Sequence, residues 1–137
     1  MRVAVIYFAG SKRQRLTELS RSLAKGLEEQ GHQVDIIDGE RDVNSKLTIY
    51  NYIAIGTGST GFFGGKISDG ISRFLANSGM VSGKRCFAFI VKSGLRTGKT
   101  LQKLMRVMEH EGMYLKYSDI LSQPEEALAI GRKLHIG

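Results

Sequence analysis

Lys12, Arg13, Arg15, Lys66, Lys92, Arg96 and Lys99 all fall in glycine-rich stretches that directly follow apolar runs. Those stretches contain no Asp or Glu. Elsewhere the chain holds thirteen basic and thirteen acidic residues, so its formal charge of +7 resides on these segments. Lys12, Arg13 and Arg15 stand where a helix should begin, and cations there oppose the helix macrodipole by about 0.3–1 kcal/mol each. A bound anion, a phosphate above all, reverses that sign. Gly10, Gly56, Gly58, Gly61, Gly64, Gly65, Gly94 and Gly98 share the same segments and let backbone N–H groups approach such a ligand closely.

Other chemistries find less support. Gly94 Leu95 Arg96 Thr97 Gly98 Lys99 Thr100 is close to a P-loop, but has three residues rather than four between its first glycine and the Gly-Lys pair. His32, His110 and His135 fall near expected helix C-termini, and none has metal-ligand spacing with another. No Ser, His and acid set or paired carboxylates converge on one segment, so hydrolytic catalysis has no visible machinery and any chemistry belongs to a cofactor. The acidic pair and the aspartate that a phospho-accepting receiver domain needs are missing, and position 56 is glycine.

The elements that position these segments follow from periodicity. Val3 to Phe8 is a continuously apolar strand, of the kind covered on both faces. Leu16, Leu19, Leu23 and Leu27 mark one helix face, closed by Gly31. Val34, Ile36 and Ile37 make a second strand, and the polar connection from Gly39 to Lys46 is too short for a full helix. A third strand runs from Ile49 to Ile55, followed by a helix carrying Ile67, Ile71, Phe74 and Leu75 that stops at Asn77 to Gly79. Arg85 to Val91 is the fourth strand, and Leu101, Leu104, Met105 and Met108 mark a helix closed by Gly112. A fifth strand lies within Tyr114 to Leu121, and Ser122 with Glu125 forms a capping box around Pro124 at the start of a last helix.

Strands alternating with helices predict an α/β fold: a doubly wound five-stranded parallel sheet in a three-layer sandwich, with any ligand at the carboxyl ends of the strands. The 137 residues suit a single domain spanning residues 1–137, and 42% hydrophobic with 24% charged residues is ordinary for a globular protein. Cys86, the single cysteine, sits in an apolar run and reads as core. With no disulfide possible within the chain, no apolar run of membrane-crossing length and no signal-peptide pattern, the expected location is the cytoplasm.

The order of these elements, with Ala9 to Gln14 after the first strand, Thr57 to Lys66 after the third and Lys92 to Gly98 after the fourth, resembles flavodoxins and flavodoxin-like quinone reductases over essentially the whole chain. Phe62 Phe63 Gly64 Gly65 is similar to the family's second flavin loop. The resemblance implies strand order 2-1-3-4-5 and flavin mononucleotide (FMN) as cofactor. It places Ser11, Lys12, Arg13 and Gln14 around the phosphate. Thr57, Gly58, Ser59, Thr60, Phe62, Phe63 and Gly64 lie on one side of the flavin ring, and Ser93, Gly94, Leu95, Arg96 and Gly98 on the other. The first loop departs from the family's hydroxyl-rich pattern, since Ala9 Gly10 Ser11 Lys12 Arg13 Gln14 offers one hydroxyl, and its cations stand in for the missing ones.

The implied activity is that of an oxidoreductase: electron transport, or reduction as a small NAD(P)H-linked FMN or quinone reductase. A pI near 9.7 calls for an acidic redox partner protein. A second reading is a flavin-free module of the same fold whose basic edge binds another anion, such as a nucleotide, nucleic acid or acidic protein. Nucleic acid is disfavoured because aromatics, Phe62 and Phe63 apart, are not interleaved with the cations.

Overall fold

A computed structural model of the chain describes residues 1–60 and 65–137. Five parallel strands, β1 (Arg2–Phe8), β2 (Gln33–Asp38), β3 (Tyr52–Thr57), β4 (Arg85–Val91) and β5 (Tyr114–Leu121), form one sheet in the order β2-β1-β3-β4-β5. The described helices are α1 (Arg13–Glu29), α2 (Gly70–Ala76), α3 (Thr97–His110) and α4 (Pro124–Lys133). Alternation along the strands divides the core into two layers. Val3, Val5, Tyr52, Ala54, Phe87 and Phe89 face α1 and α4. On the other side Ala4, Ile6, Ile53, Ile55, Cys86 and Ala88 face α2 and α3. Every one of these side chains is fully out of solvent, which explains why the strands read as continuous apolar runs. Burial pushes the Cys86 thiol up to about 12, assisted by the charge of Glu109, so this cysteine is core as expected.

The connection between β2 and β3 contains no helix and is held by polar contacts instead. Leu47 is buried, the Tyr50 hydroxyl donates to Asp35 at 2.7 Å, and Lys84 Nζ donates to the carbonyls of Leu47, Thr48 and Tyr50 at 2.6–2.7 Å. Those three bonds satisfy carbonyls that a layer helix would have paired internally. Strand β3 begins at Tyr52 rather than Ile49, because the Tyr50 N–H closes a turn onto the Leu47 carbonyl and leaves Ile49 exposed.

The capping box of α4 is also shifted by one residue. Glu126, not Glu125, accepts hydrogen bonds from the Ser122 hydroxyl and the N–H groups of Ser122 and Gln123, at 2.7–3.0 Å. Gln123 precedes Pro124 and is therefore forced into extended backbone (φ −125°, ψ 147°), which makes it the N-cap.

Candidate functional site

The strand order brings the ends of β2, β1 and β3 side by side, and the first loop turns over them. Lys12 N–H bonds back to the Ala9 carbonyl at 2.9 Å, Gly10 takes φ +54°, and α1 starts at Arg13. That N-terminus has no side-chain cap and no acidic residue in its first turn. Its free N–H groups and dipole attract an anion. Beside it lies a cavity of about 280 Å³, whose lining includes Gly10, Ser11, Lys12, Glu40 and residues 57–60. The Lys12 stem crosses Gly58 so closely that a Cβ there would stand 2.7 Å from Lys12 Cδ and 3.0 Å from Val91 Cγ1, so any larger residue at position 58 must push the lysine stem aside. The Thr57 hydroxyl donates to the Phe8 carbonyl at 2.8 Å and ties the ends of β1 and β3 together.

Two carboxylates from the end of β2 enter this region, and the sequence-based charge map did not count them. Arg13 donates to Asp38 at 2.6 Å and to Glu40 at 3.3 Å, and Glu40 also accepts the Gly10 N–H at 3.1 Å. Arg13 is therefore an ion-pair partner of β2, not a free cation awaiting a phosphate. Burial pushes the Asp38 carboxyl up, but the Arg13 hydrogen bond and the N–H groups of Glu40 and Arg41 outweigh it and hold the group below its ordinary value. A depressed carboxylate stabilises the fold fully above the unfolded value near 3.9 and loses that contribution as pH falls through the lower folded value. Urea unfolding across pH 7 to 3 should therefore show wild type losing stability more steeply than Asp38→Asn. Parallel curves would contradict the assignment.

The seven cations do not surround one ligand. Gln14 and Arg15 are exposed on α1, and Lys92 lies near Glu126, whose carboxylate it helps hold down. Lys66, Arg96 and Lys99 instead join Lys103 and Arg106 in a second cavity of about 280 Å³ along α3. Arg96 adopts the left-handed region (φ 58°, ψ 34°), uncommon for a residue with a Cβ, and its stem packs over Gly65. Ser93, Gly94, Leu95 and Gly98 sit at the opening of this groove's helix rather than in the cavity of the first loop, and Leu95 is exposed. The P-loop-like hydroxyl is already engaged: Thr100 Oγ1 accepts the Gly65 N–H at 3.0 Å and donates to the Arg96 carbonyl at 3.1 Å. Phe62, Phe63 and Gly64, assigned to the flavin ring, lie outside the described residues.

Among the described residues no helix is long and apolar enough to cross a membrane, and no group of three or more His, Cys, Asp and Glu could hold a metal ion. No family model and no curated protein matches the sequence. Solved structures do match. Oxidised Flavodoxin 1 from Bacillus cereus is similar with a TM-score of 0.74 at 20% identity, covering 96% of this chain and 95% of that one. Two-electron reduced Megasphaera elsdenii flavodoxin gives 0.73 at 16% identity, with 95% and 96% covered. The flavodiiron protein from Giardia intestinalis gives 0.73 at 10% identity over 97% of this chain and 35% of its own. The strand order, the helices on both faces and these likenesses together show that the chain has the flavodoxin-like fold.

Proposed function

We propose that the chain binds FMN at the carboxyl ends of β1 and β3 and serves in electron transfer or small flavin-dependent reduction. The observation that carries this reading is the uncapped α1 N-terminus, with no acidic residue in its own first turn, opening beside Ser11 and Lys12 into a cavity between two flavodoxin-like loops. The phosphate end of FMN fits there: α1 supplies N–H donors, Ser11 a hydroxyl and Lys12 a compensating charge. Thr57, Gly58, Ser59 and Thr60 line the same cavity on the ring side, and the segment Ser93 to Gly98 lies beyond it. When bound, the isoalloxazine accepts and returns electrons. The chain's own part is to hold the phosphate, neutralise it and shield the ring. The groove of Lys66, Arg96, Lys99, Lys103 and Arg106 is matched in charge to an acidic redox partner.

One observation favours the flavin-free reading. Glu40 already places a carboxylate on the Gly10 N–H, so a phosphate at that N–H must displace it. Titrating the protein with FMN while following flavin fluorescence separates the two. Saturable quenching at one flavin per chain is expected. Absence of binding even at high flavin would leave a module in which Glu40 has closed the phosphate site.

A further inference from the structure

A cavity of about 330 Å³ opens toward the amino ends of the strands, away from the flavin loops, between the start of β3, β5 and the end of α4. Tyr52, the first residue of β3, lines it, is wholly buried, and has a hydroxyl with no hydrogen-bond partner among the described residues. A buried donor left unpaired is costly, and phenylalanine would fill the same space without that cost. Burial, with a smaller contribution from Cys86, pushes the phenol well above its ordinary value, so it stays a protonated donor.

Strand β5 is irregular at this cavity. Cys86 pairs with Leu115 and Phe87 with Tyr117, which leaves Lys116 as an inserted residue. Strict alternation would send Lys116 and Tyr117 to opposite faces of the sheet, yet both line the cavity. Bulges of this kind re-aim side chains and gather near functional sites. The Tyr117 ring, stacked on Phe87 at 5.4 Å, forms an apolar wall together with Ile130 and Leu134. Lys116 and Lys133 stand at the exposed mouth, and neither is in an ion pair among the described residues. The mouth is therefore cationic and the walls apolar, and the orphaned Tyr52 donor is packed directly behind them.

We propose that this cavity binds a flat aromatic carboxylate carrying a hydroxyl or carbonyl oxygen at its far end. The ring lies against Tyr117, Ile130 and Leu134, the carboxylate meets Lys116 and Lys133, and the far oxygen parts the side chains that cover Tyr52 and accepts a hydrogen bond from its hydroxyl. Such a ligand answers all three features at once. An apolar molecule leaves the cations and the phenol unmet, and a bare phosphate leaves the walls unfilled.

The probe is 4-hydroxybenzoate, titrated into the 15N-labelled protein by NMR, with benzoate alongside. Saturable amide shifts confined to Tyr52, Lys116, Tyr117 and residues 130–135 are expected, with 4-hydroxybenzoate binding several-fold tighter than benzoate. Lys133→Gln should weaken both about fivefold, and Lys103→Gln on α3 should weaken neither. Tyr52→Phe should abolish the preference for the hydroxylated probe while leaving the melting temperature unchanged or higher. No saturable shift, shifts at Gly10 to Lys12 instead, or a Tyr52→Phe variant that melts lower would each overturn the proposal.

Discussion

Replacing Gly131 with alanine should lower stability by about 3 kcal/mol, because the clash it creates is with backbone rather than with a movable side chain. A Cβ at Gly131 would meet the Leu23 carbonyl oxygen below any real contact distance and stand 2.9 Å from Gly26 Cα. Gly26 mirrors it, since a Cβ there would come 2.8 Å from the Arg132 nitrogen. The two glycines thus let α1 and α4 touch backbone to backbone, in the most extensive helix contact of the fold. Gln30 Nε2 donating to the carbonyls of Gly131 and Leu134 at 2.6 and 3.0 Å, and the Arg132–Glu29 ion pair at 2.8 Å, extend that seam. In an open helical site alanine is favoured over glycine by about 1 kcal/mol. Gly98, with nothing within 4 Å of a Cβ, supplies that contrast. Thermal unfolding should therefore show Gly131→Ala melting about 10 °C lower and Gly98→Ala slightly higher. A neutral Gly131→Ala would mean that the helices are not in backbone contact.

That seam was not legible in the sequence. The leucine spacing of α1 defines its buried face, yet Gly26 falls among ordinary helical residues and Gly131 within the last helix. Only the long-range crossing of the two helices gives either glycine its role. The sheet was legible, because residues buried on both faces leave an unbroken apolar run whatever their partners. The boundaries that moved, at Ile49 and at Glu125, moved for local reasons: a turn at Leu47 to Tyr50 and the extended residue before Pro124.

The largest effects on ligand binding are expected from Lys12 and Glu40, in opposite directions. A unit charge within about 4 Å is worth about 1 kcal/mol even in water, so Lys12→Glu, a change of two units, should weaken FMN binding about thirtyfold. Glu40→Gln removes the negative charge beside Gly10 and should tighten binding about fivefold. Arg13→Glu is a poor test, since it would gather three carboxylates with Asp38 and Glu40 and loosen the fold itself. Fluorescence titrations of the two variants check the pair. Equal affinities in both would place the anion elsewhere.

The site was half legible for a topological reason. The cations after β1, β3 and β4 stand out because their loops lack acids. However, β2 lies next to β1, so Asp38 and Glu40 reach Arg13 and Gly10 across 25 and 30 residues of chain. Counting charge loop by loop missed them, although the expected order 2-1-3-4-5 already placed the end of β2 beside the first loop. The same order was silent about α3, whose Lys103 and Arg106 line a separate groove together with Lys66, Arg96 and Lys99.

The most direct test of the phosphate site is a pair of fluorescence titrations on the same preparation, one with FMN and one with riboflavin, which lacks the phosphate. Binding of FMN at least tenfold tighter than riboflavin is the predicted result, because the α1 N-terminus, Ser11 and Lys12 have only the phosphate to hold. Equal affinities, or no binding of either, would contradict it.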